Sequence, residues 1–183
     1  MEKRNIVYIA TSLDGFIADR NGDIGWLDTI PIPENEDMGY DQLMNQIDAL
    51  VMGRTTFEAV LGFDVEWPYK KPVFVLSHSL TNIPDSHKEK AHLIKGTPQE
   101  VLAQIHEKGY FRLYIDGGQT IQRFLKEDLI DELIITNFPI LLGNGYPLFG
   151  EHSNELFFEL HDSKVYAGQL VQRHYKRSKK PDN

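Results

Sequence analysis

The sequence predicts an α/β protein, with a mixed but mostly parallel central sheet, helices on both faces, and an antiparallel hairpin at the C-terminal end. Three observations predict it. Short apolar, β-branched runs alternate with segments of helical spacing through the middle of the chain, which implies parallel strands joined by right-handed crossovers. Several of these runs stop at glycine, the punctuation of a strand-to-helix turn. The last two apolar runs have no helical segment between them and read as paired antiparallel strands.

Residues 6–10 are β-branched and almost continuously apolar, as a strand buried on both faces should be. Asp14-Gly15 and Asn21-Gly22 then mark a loop that carries Trp26 and a Pro31-x-Pro33 pair. Leu43, Met44 and Ile47 have helical spacing behind the acidic stretch Glu34-x-Glu36-Asp37, which suits a helix N-terminus. A second buried strand, 49–52, ends at Gly53, and Arg54 to Glu58 reads as the first turn of a short helix. Residues 72–76 form a third strand, halted by Ser77-His78-Ser79, and 92–95 a fourth. Thr97-Pro98-Gln99-Glu100 opens a helix with a threonine cap and proline at its first position, its apolar face being Val101, Leu102 and Ile105. Residues 112–115 are a fifth strand, broken by Asp116-Gly117-Gly118. The helix that follows turns Ile121, Phe124 and Leu125 inward. A sixth strand covers 133–136, and 156–160 with 169–175 make the terminal hairpin.

With 183 residues the chain fits one domain, and it can bury about 70% of the surface that unfolding exposes. At 41% hydrophobic and 25% charged residues it is globular. The domain is expected over 1–176, with 177–183 a basic frayed tail, since Lys176-Arg177-Ser178-Lys179-Lys180 stands beside Pro181. A net charge of −8 argues against a nucleic-acid footprint, which needs clustered cations. No cysteine is present, which removes disulfides, thiolate nucleophiles and Cys-based zinc sites. The seven histidines show no His-x-x-x-His pairing, so no metal site is expected. No stretch approaches the roughly 18 apolar residues of a membrane span, and the short run at 6–10 makes no signal peptide. A cytoplasmic protein is expected.

In an open α/β sheet, ligands bind beyond the carboxyl ends of the strands, where helix N-termini also point. Two such junctions are rich in glycine: Met52-Gly53-Arg54-Thr55-Thr56 and Ile115-Asp116-Gly117-Gly118-Gln119-Thr120. Glycine lets a phosphate approach the backbone, and the free amides of the next helical turn stabilise its charge. Thr56 and Thr120 add hydroxyl donors and Arg54 a guanidinium. Two phosphate cradles in one sheet suit a pyrophosphate-linked dinucleotide. Neither junction is a Gly-x-Gly-x-x-Gly fingerprint or a P-loop.

Taken in order, Ile9-Ala10-Thr11-Ser12-Leu13-Asp14-Gly15-Phe16-Ile17-Ala18, Gly22-x-x-x-Trp26, Met52-Gly53-Arg54-x-Thr56-Phe57-Glu58, Val75-Leu76-Ser77 and Ile115-Asp116-Gly117-Gly118 resemble the dihydrofolate reductase-like superfamily. Ser12-Leu13-Asp14-Gly15, with Pro139 to Gly145 and Pro147-Leu148-Phe149, is similar to the reductase domain of the bacterial riboflavin-biosynthesis deaminase-reductase. The resemblance runs from about Ile6 to Tyr175.

That resemblance implies a three-layer fold and an NADPH-dependent reductase acting on a small pterin- or pyrimidine-like heterocycle. One specific form is the 5-amino-6-(5-phosphoribosylamino)uracil reductase step of riboflavin biosynthesis. It places nicotinamide against Ala10 and Ile17, and the pyrophosphate against Gly53, Arg54, Thr55 and Thr56 and against Gly117, Gly118, Gln119 and Thr120. Leu76 and Ser77 flank the adenosine beside Arg54, whose guanidinium suits a 2′-phosphate. Trp26 and Thr136 border the substrate. Asp37 and Asp28 are the candidate proton donors, with helix capping and solvation as the competing reading of each. The resemblance also implies a homodimer and, at the step equivalent to Asp116–Gly117, a cis peptide. The alternatives are an NADPH-binding module without catalysis, and a dimeric scaffold that binds no nucleotide.

Overall fold

A computed structural model describes residues 2–63, 65–151 and 154–179. Six strands are parallel: β1 (Arg4–Thr11), β3 (Ala49–Gly53), β4 (Val73–Leu76), β5 (Ala91–Ile94), β6 (Arg112–Asp116) and β7 (Glu132–Asn137). The antiparallel hairpin of β9 (Phe157–Tyr166) and β10 (Leu170–Ser178) completes an eight-stranded sheet in the order β5-β4-β3-β6-β1-β7-β10-β9.

Period-two alternation sorts the strand residues into two cores. Ala49 and Val51, Phe74 and Leu76, and Leu113 and Ile115 face α3 (Pro98–Glu107) and α4 (Gly118–Lys126), packing on Val101, Ile105, Ile121 and Phe124. Leu50 and Met52, Val73 and Val75, and Tyr114 face the other way, toward α1 (Tyr40–Gln46) and α2 (Arg54–Leu61), through Leu43 and Phe57. Helices therefore cover both faces of the sheet. The three layers expected from the sequence are present.

Strand and helix ends differ from the expected boundaries by a few residues, and two features were not expected. Phe16–Asp19 (β2) pairs with Gly145–Pro147 (β8) as a separate small sheet. Segments of four and three residues, one ending in proline, carry too little alternation to be read as strands. Asp14 helps hold this region. Its carboxylate accepts from the Ser12 hydroxyl at 2.6 Å and from the amides of Leu142 and Gly143 at 3.2 and 2.7 Å. Ser12-Leu13-Asp14-Gly15 is thus a clamp between two distant loops.

The second difference concerns the basic tail. Arg177 and Ser178 belong to β10, and the Arg177 guanidinium meets Asp128 at 2.6 and 2.9 Å and the Phe157 carbonyl at 2.8 Å. A bidentate pair fixes this strand end, so the domain continues past 176. The rest of the expected tail, 180–183, lies outside the described residues.

Candidate active site

Strands β1 and β6 pair only from Arg4↔Arg112 to Ile6↔Tyr114, yet β1 continues to Thr11 and β6 to Asp116. The two strands part at their carboxyl ends and open a crevice in the middle of the sheet, where ligands of α/β folds bind. On the far side of β6, pairing with β3 holds to the end, Met52 opposite Asp116. Gly53 and Gly117 follow immediately, so the two glycine turns lie side by side.

The turns interlock. A Cβ on Gly117 would collide with the Thr56 hydroxyl, and one on Gly53 would come within 3.0 Å of Thr120 Oγ1. Gly117 has φ +85°, a conformation that costs an L side chain roughly 1–2 kcal/mol. The expected cis peptide at Asp116–Gly117 is absent, as are cis peptides throughout the described residues. The positive φ of Gly117 makes the turn.

Helices α2 and α4 start at these glycines without a side-chain cap. By contrast α3 has a full capping box, Thr97 with Glu100, and α1 is capped by Asp37, whose carboxylate accepts from the Gly39 and Asp41 amides at 2.9 and 2.8 Å. The amides of the first turns of α2 and α4, with the positive ends of their dipoles, thus converge on one spot.

Every residue expected to hold the dinucleotide lies along this rim or beside it. Arg54, Thr55 and Gln119 are exposed and Thr120 is buried. Arg54 Nη1 contacts both Glu58 carboxylate oxygens at 3.1 Å on the exposed side of α2. Leu76 pairs with Gly53 across β4 and β3, but its side chain is in the core, so only its backbone is at the rim. The Ser77 hydroxyl accepts from the Leu80 and Ser79 amides at 2.9 and 3.2 Å and closes the turn after β4. Ile17, on β2, reaches over the start of α4, and a Cβ on Gly118 would come within 2.7 Å of its Cδ1.

Within the crevice, register sets Ala10 opposite Thr136 on β7 and Thr136 opposite Gln172 on β10. Gln172 Nε2 donates to Thr136 Oγ1 and to the Met38 carbonyl, both at 3.0 Å. Trp26 is buried edge-on against Phe138 at 5.3 Å, in a cluster that includes Ala10 and Met38. Its indole N–H finds no acceptor among the described residues. The structure brings Ala10, Ile17, Trp26 and Thr136 to one side of the glycine turns.

The proton-donor candidates require correction. Asp37 caps α1, and the two amides it accepts hold its carboxyl below the usual range, the reverse of what an acid at neutral pH needs. Asp28 stands exposed on a short 3-10 turn, Gly25–Thr29. The carboxyl group inside the crevice is Asp116. Burial pushes it up to about 6, against the opposing pull of the Gly117 amide at 2.8 Å and of the Tyr114 hydroxyl. Asp116 was visible in the sequence as an acidic residue directly before Gly-Gly at a strand end, but there it read only as part of a turn.

Sequence reasoning missed four tyrosines here: Tyr40, Tyr69 and Tyr114, which feel the Asp116 charge, and Tyr8 beside Tyr40 and Tyr114. The Tyr114 hydroxyl donates to the Tyr8 carbonyl at 2.8 Å, bridging the parted strands. The Tyr8 hydroxyl donates to the Met38 carbonyl at 3.2 Å, and burial pushes it up to about 12. Tyr40 and Tyr69 are raised by burial and then by the Asp116 charge. Among the described residues no cluster of His, Asp and Glu is arranged to hold a metal ion, and no helix is long and apolar enough to cross a membrane.

Residues 5–171 match the RibD C-terminal domain. The chain belongs to that family. Its RibD C-terminal domain is 53% identical to a protein of solved structure from Shewanella sp. PV-4 whose name connects it with riboflavin biosynthesis. That match has a TM-score of 0.93 and covers 96% of this chain and 99% of the other. YwjB of Bacillus subtilis (strain 168), an uncharacterized protein, is 38% identical over 97% of this chain and its own full length. The Thermotoga maritima diaminohydroxyphosphoribosylaminopyrimidine deaminase/5-amino-6-(5-phosphoribosylamino)uracil reductase is 15% identical, with a TM-score of 0.75, and is matched over 57% of its length. At that identity the likeness is one of fold.

Proposed function

We propose that this protein is an NADPH-dependent reductase of a small pterin- or pyrimidine-like heterocycle. Membership of the RibD C-terminal family supports a reductase-like role connected with riboflavin biosynthesis. One observation carries the reading: two uncapped helix starts meet at interlocked glycine turns, beside a crevice that holds a carboxyl of raised pKa.

The residues fit a dinucleotide. The uncapped amides at the starts of α2 and α4, with the Thr56 and Thr120 hydroxyls packed against the two glycine turns, suit a diphosphate. Ala10 and Ile17 offer apolar surface to the nicotinamide, and the exposed Arg54 is available to a 2′-phosphate. When bound, the dinucleotide supplies the hydride.

The protein's part is positioning and proton supply. Thr136 and Gln172 orient the ring from the strand side, and Trp26 brings a free indole N–H. The carbon of a C=N or C=O bond receives the hydride, and the adjoining nitrogen or oxygen takes the Asp116 proton. A pKa of about 6 keeps a useful protonated fraction near neutrality.

A titration of NADPH against NADH, followed by loss of NADPH absorbance across a panel of pteridines and pyrimidines, tests the reading. Binding of NADPH with turnover of a panel member is expected. Tight NADPH binding without turnover would reduce the protein to a nucleotide-binding module, and failure to bind either dinucleotide would end the reading altogether.

A further inference from the structure

The terminal hairpin turns its apolar residues to a face that no helix covers. Residues opposite one another in paired strands point the same way, so register sorts β7, β10 and β9 into two sides. On one side the hairpin is polar, with Gln172, His174 and Lys176 beside Lys164, Asp162 and Glu159. The other side has Leu133 and Ile135 of β7, Tyr175 of β10, and Phe158, Leu160 and Val165 of β9. Antiparallel strands ordinarily put such residues on a core and the polar ones in water. Here α3 and α4 pack on that side from β4 to β7, and beyond them Leu160 and Val165 are 58% and 63% exposed.

The uncovered side forms a groove of about 530 Å³. Its floor is the strands, and its far wall is Leu148 with the exposed Leu13 and Phe149. Arg173 stands midway along β10, donating to Asn137 Oδ1 at 2.7 Å and to the Tyr175 hydroxyl at 3.4 Å. Contiguous apolar surface of this kind marks an interaction site.

Size and charge say what covers it. At about 4.8 Å between strands and 3.4 Å per residue, three strands along the nine residues of β10 span about 400 Å² in projection. Side-chain relief and the loop wall add to this, toward the roughly 800 Å² that each partner gives to a standard interface. The chain has a net charge of −8, yet none of the residues that register turns to this side, from Leu133 to Asn137, Phe158 to Val165 and Val171 to Tyr175, is acidic. Two copies can therefore meet here without opposing carboxylates. An apolar and aromatic centre with one arginine is the composition of an interface core. Two such sheet faces stack about 10 Å apart, and a two-fold axis lets one patch serve both copies.

The groove wall is also the back of the cofactor loop. Leu13 and Gly15 flank Asp14, which ties the loop to the Leu142 and Gly143 amides, and the Gly15 carbonyl accepts from the Leu148 amide at 2.9 Å. Just beyond, Ile17 lies over the start of α4. Whatever presses on Leu13 and Phe149 from the groove braces the loop that carries Ile17.

We propose that a second copy of this chain packs face to face on β7, β10 and β9, and that the dimer binds NADPH more tightly than the monomer because the partner braces the loop between β1 and β2. This rests on the cofactor half of the reductase reading.

Sedimentation velocity on the full chain without nucleotide should show a dimer, and a monomer at micromolar concentration overturns the proposal. Leu160→Lys combined with Val165→Lys, at positions exposed in the single chain, should give a folded monomer whose Kd for NADPH is about fivefold or more higher. Val65→Lys, equally exposed but in the loop after α2, should keep both the dimer and the affinity. A dimer that survives the double substitution, or a monomer that binds NADPH as wild type does, overturns the proposal. Should the double variant fail to fold, wild type decides across a dilution series. Linkage is reciprocal, so NADPH must tighten the dimer by the same factor, and an unchanged dimer Kd overturns the proposal. If wild type binds no NADPH, the reductase reading fails and this proposal with it; binding indifferent to dimerisation overturns this proposal alone.

Discussion

Replacing Asp116 with Asn removes the charge from the crevice while keeping an oxygen to accept from the Gly117 amide. Burial raises this carboxyl from 3.8 to about 6. A group whose folded pKa lies above its unfolded value takes up a proton on folding between the two. Its contribution to stability is therefore complete below about pH 4 and is lost as pH rises through about 6. The full shift is worth roughly 3 kcal/mol at about 1.4 kcal/mol per unit. Partial solvent access at the crevice mouth reduces this to about 1–2 kcal/mol. Urea unfolding of both proteins at about pH 4.5 and pH 8 isolates the effect, since other titrations cancel in the double difference. Wild type should lose about 1 kcal/mol relative to Asp116→Asn on going to the higher pH. Turnover of the variant should fall by about a hundred- to ten-thousandfold, and the loss of wild-type rate above about pH 6 should disappear from the profile. An equal stability difference at both pH values, or an unchanged rate profile, would refute the assignment of Asp116 as a buried proton source.

Gly117→Ala forces an alanine into φ +85° and against the Thr56 hydroxyl, and NADPH binding measured by calorimetry should be lost. Gly143→Ala serves as its control: the φ there is +73° but nothing lies within 4 Å, so stability falls while NADPH affinity is kept. Arg54→Ala should weaken NADPH far more than NADH, and equal losses would place the guanidinium away from the 2′-phosphate. Thr97→Ala breaks the α3 capping box and should lower unfolding stability by about 1 kcal/mol without altering NADPH affinity.

How much of this was legible in the sequence follows the range of the interactions. Strands β1, β3, β4, β6 and β7 are buried on both faces, so each shows as an apolar run whatever its neighbours are. The cap of α3 is written in four consecutive residues, and the glycine turns stand at the strand ends they interrupt. The crevice is different. Tyr8, Tyr40, Tyr69 and Tyr114 come from β1, the start of α1, the segment before β4 and β6, with no common motif, and only the tertiary fold gathers them beside Asp116. The order β4-β3-β6-β1 makes neighbours of Gly53 and Gly117, which are 64 positions apart. Local chemistry could suggest two cradles, but only sheet topology shows that they adjoin. Asp37 reversed its role for a local reason: with Gly39 and Asp41 just ahead of it, its carboxylate folds back onto their amides, and a capped carboxylate is a poor acid.

The contrast between capped and uncapped helices yields a last test that separates stability from binding. Helices α1 and α3 have side chains over their first turns; α2 and α4, which meet, have none. Gly53 has φ −77°, so nothing in its backbone demands glycine. Serine there would accept from the first-turn amides of α2 as an ordinary N-cap, and replacing glycine by serine at such a position changes stability by only a few tenths of a kcal/mol. Its Cβ would stand 3.0 Å from Thr120 Oγ1, a closeness that a small shift of that hydroxyl relieves. Gly53→Ser should therefore leave the unfolding midpoint within a few degrees of wild type. NADPH affinity should nevertheless drop by about tenfold or more, because the hydroxyl occupies the amides that the diphosphate needs. If the capped variant bound NADPH as tightly as wild type, the absence of a cap on α2 would have no bearing on the nucleotide, and the paired glycine turns would be a folding feature only.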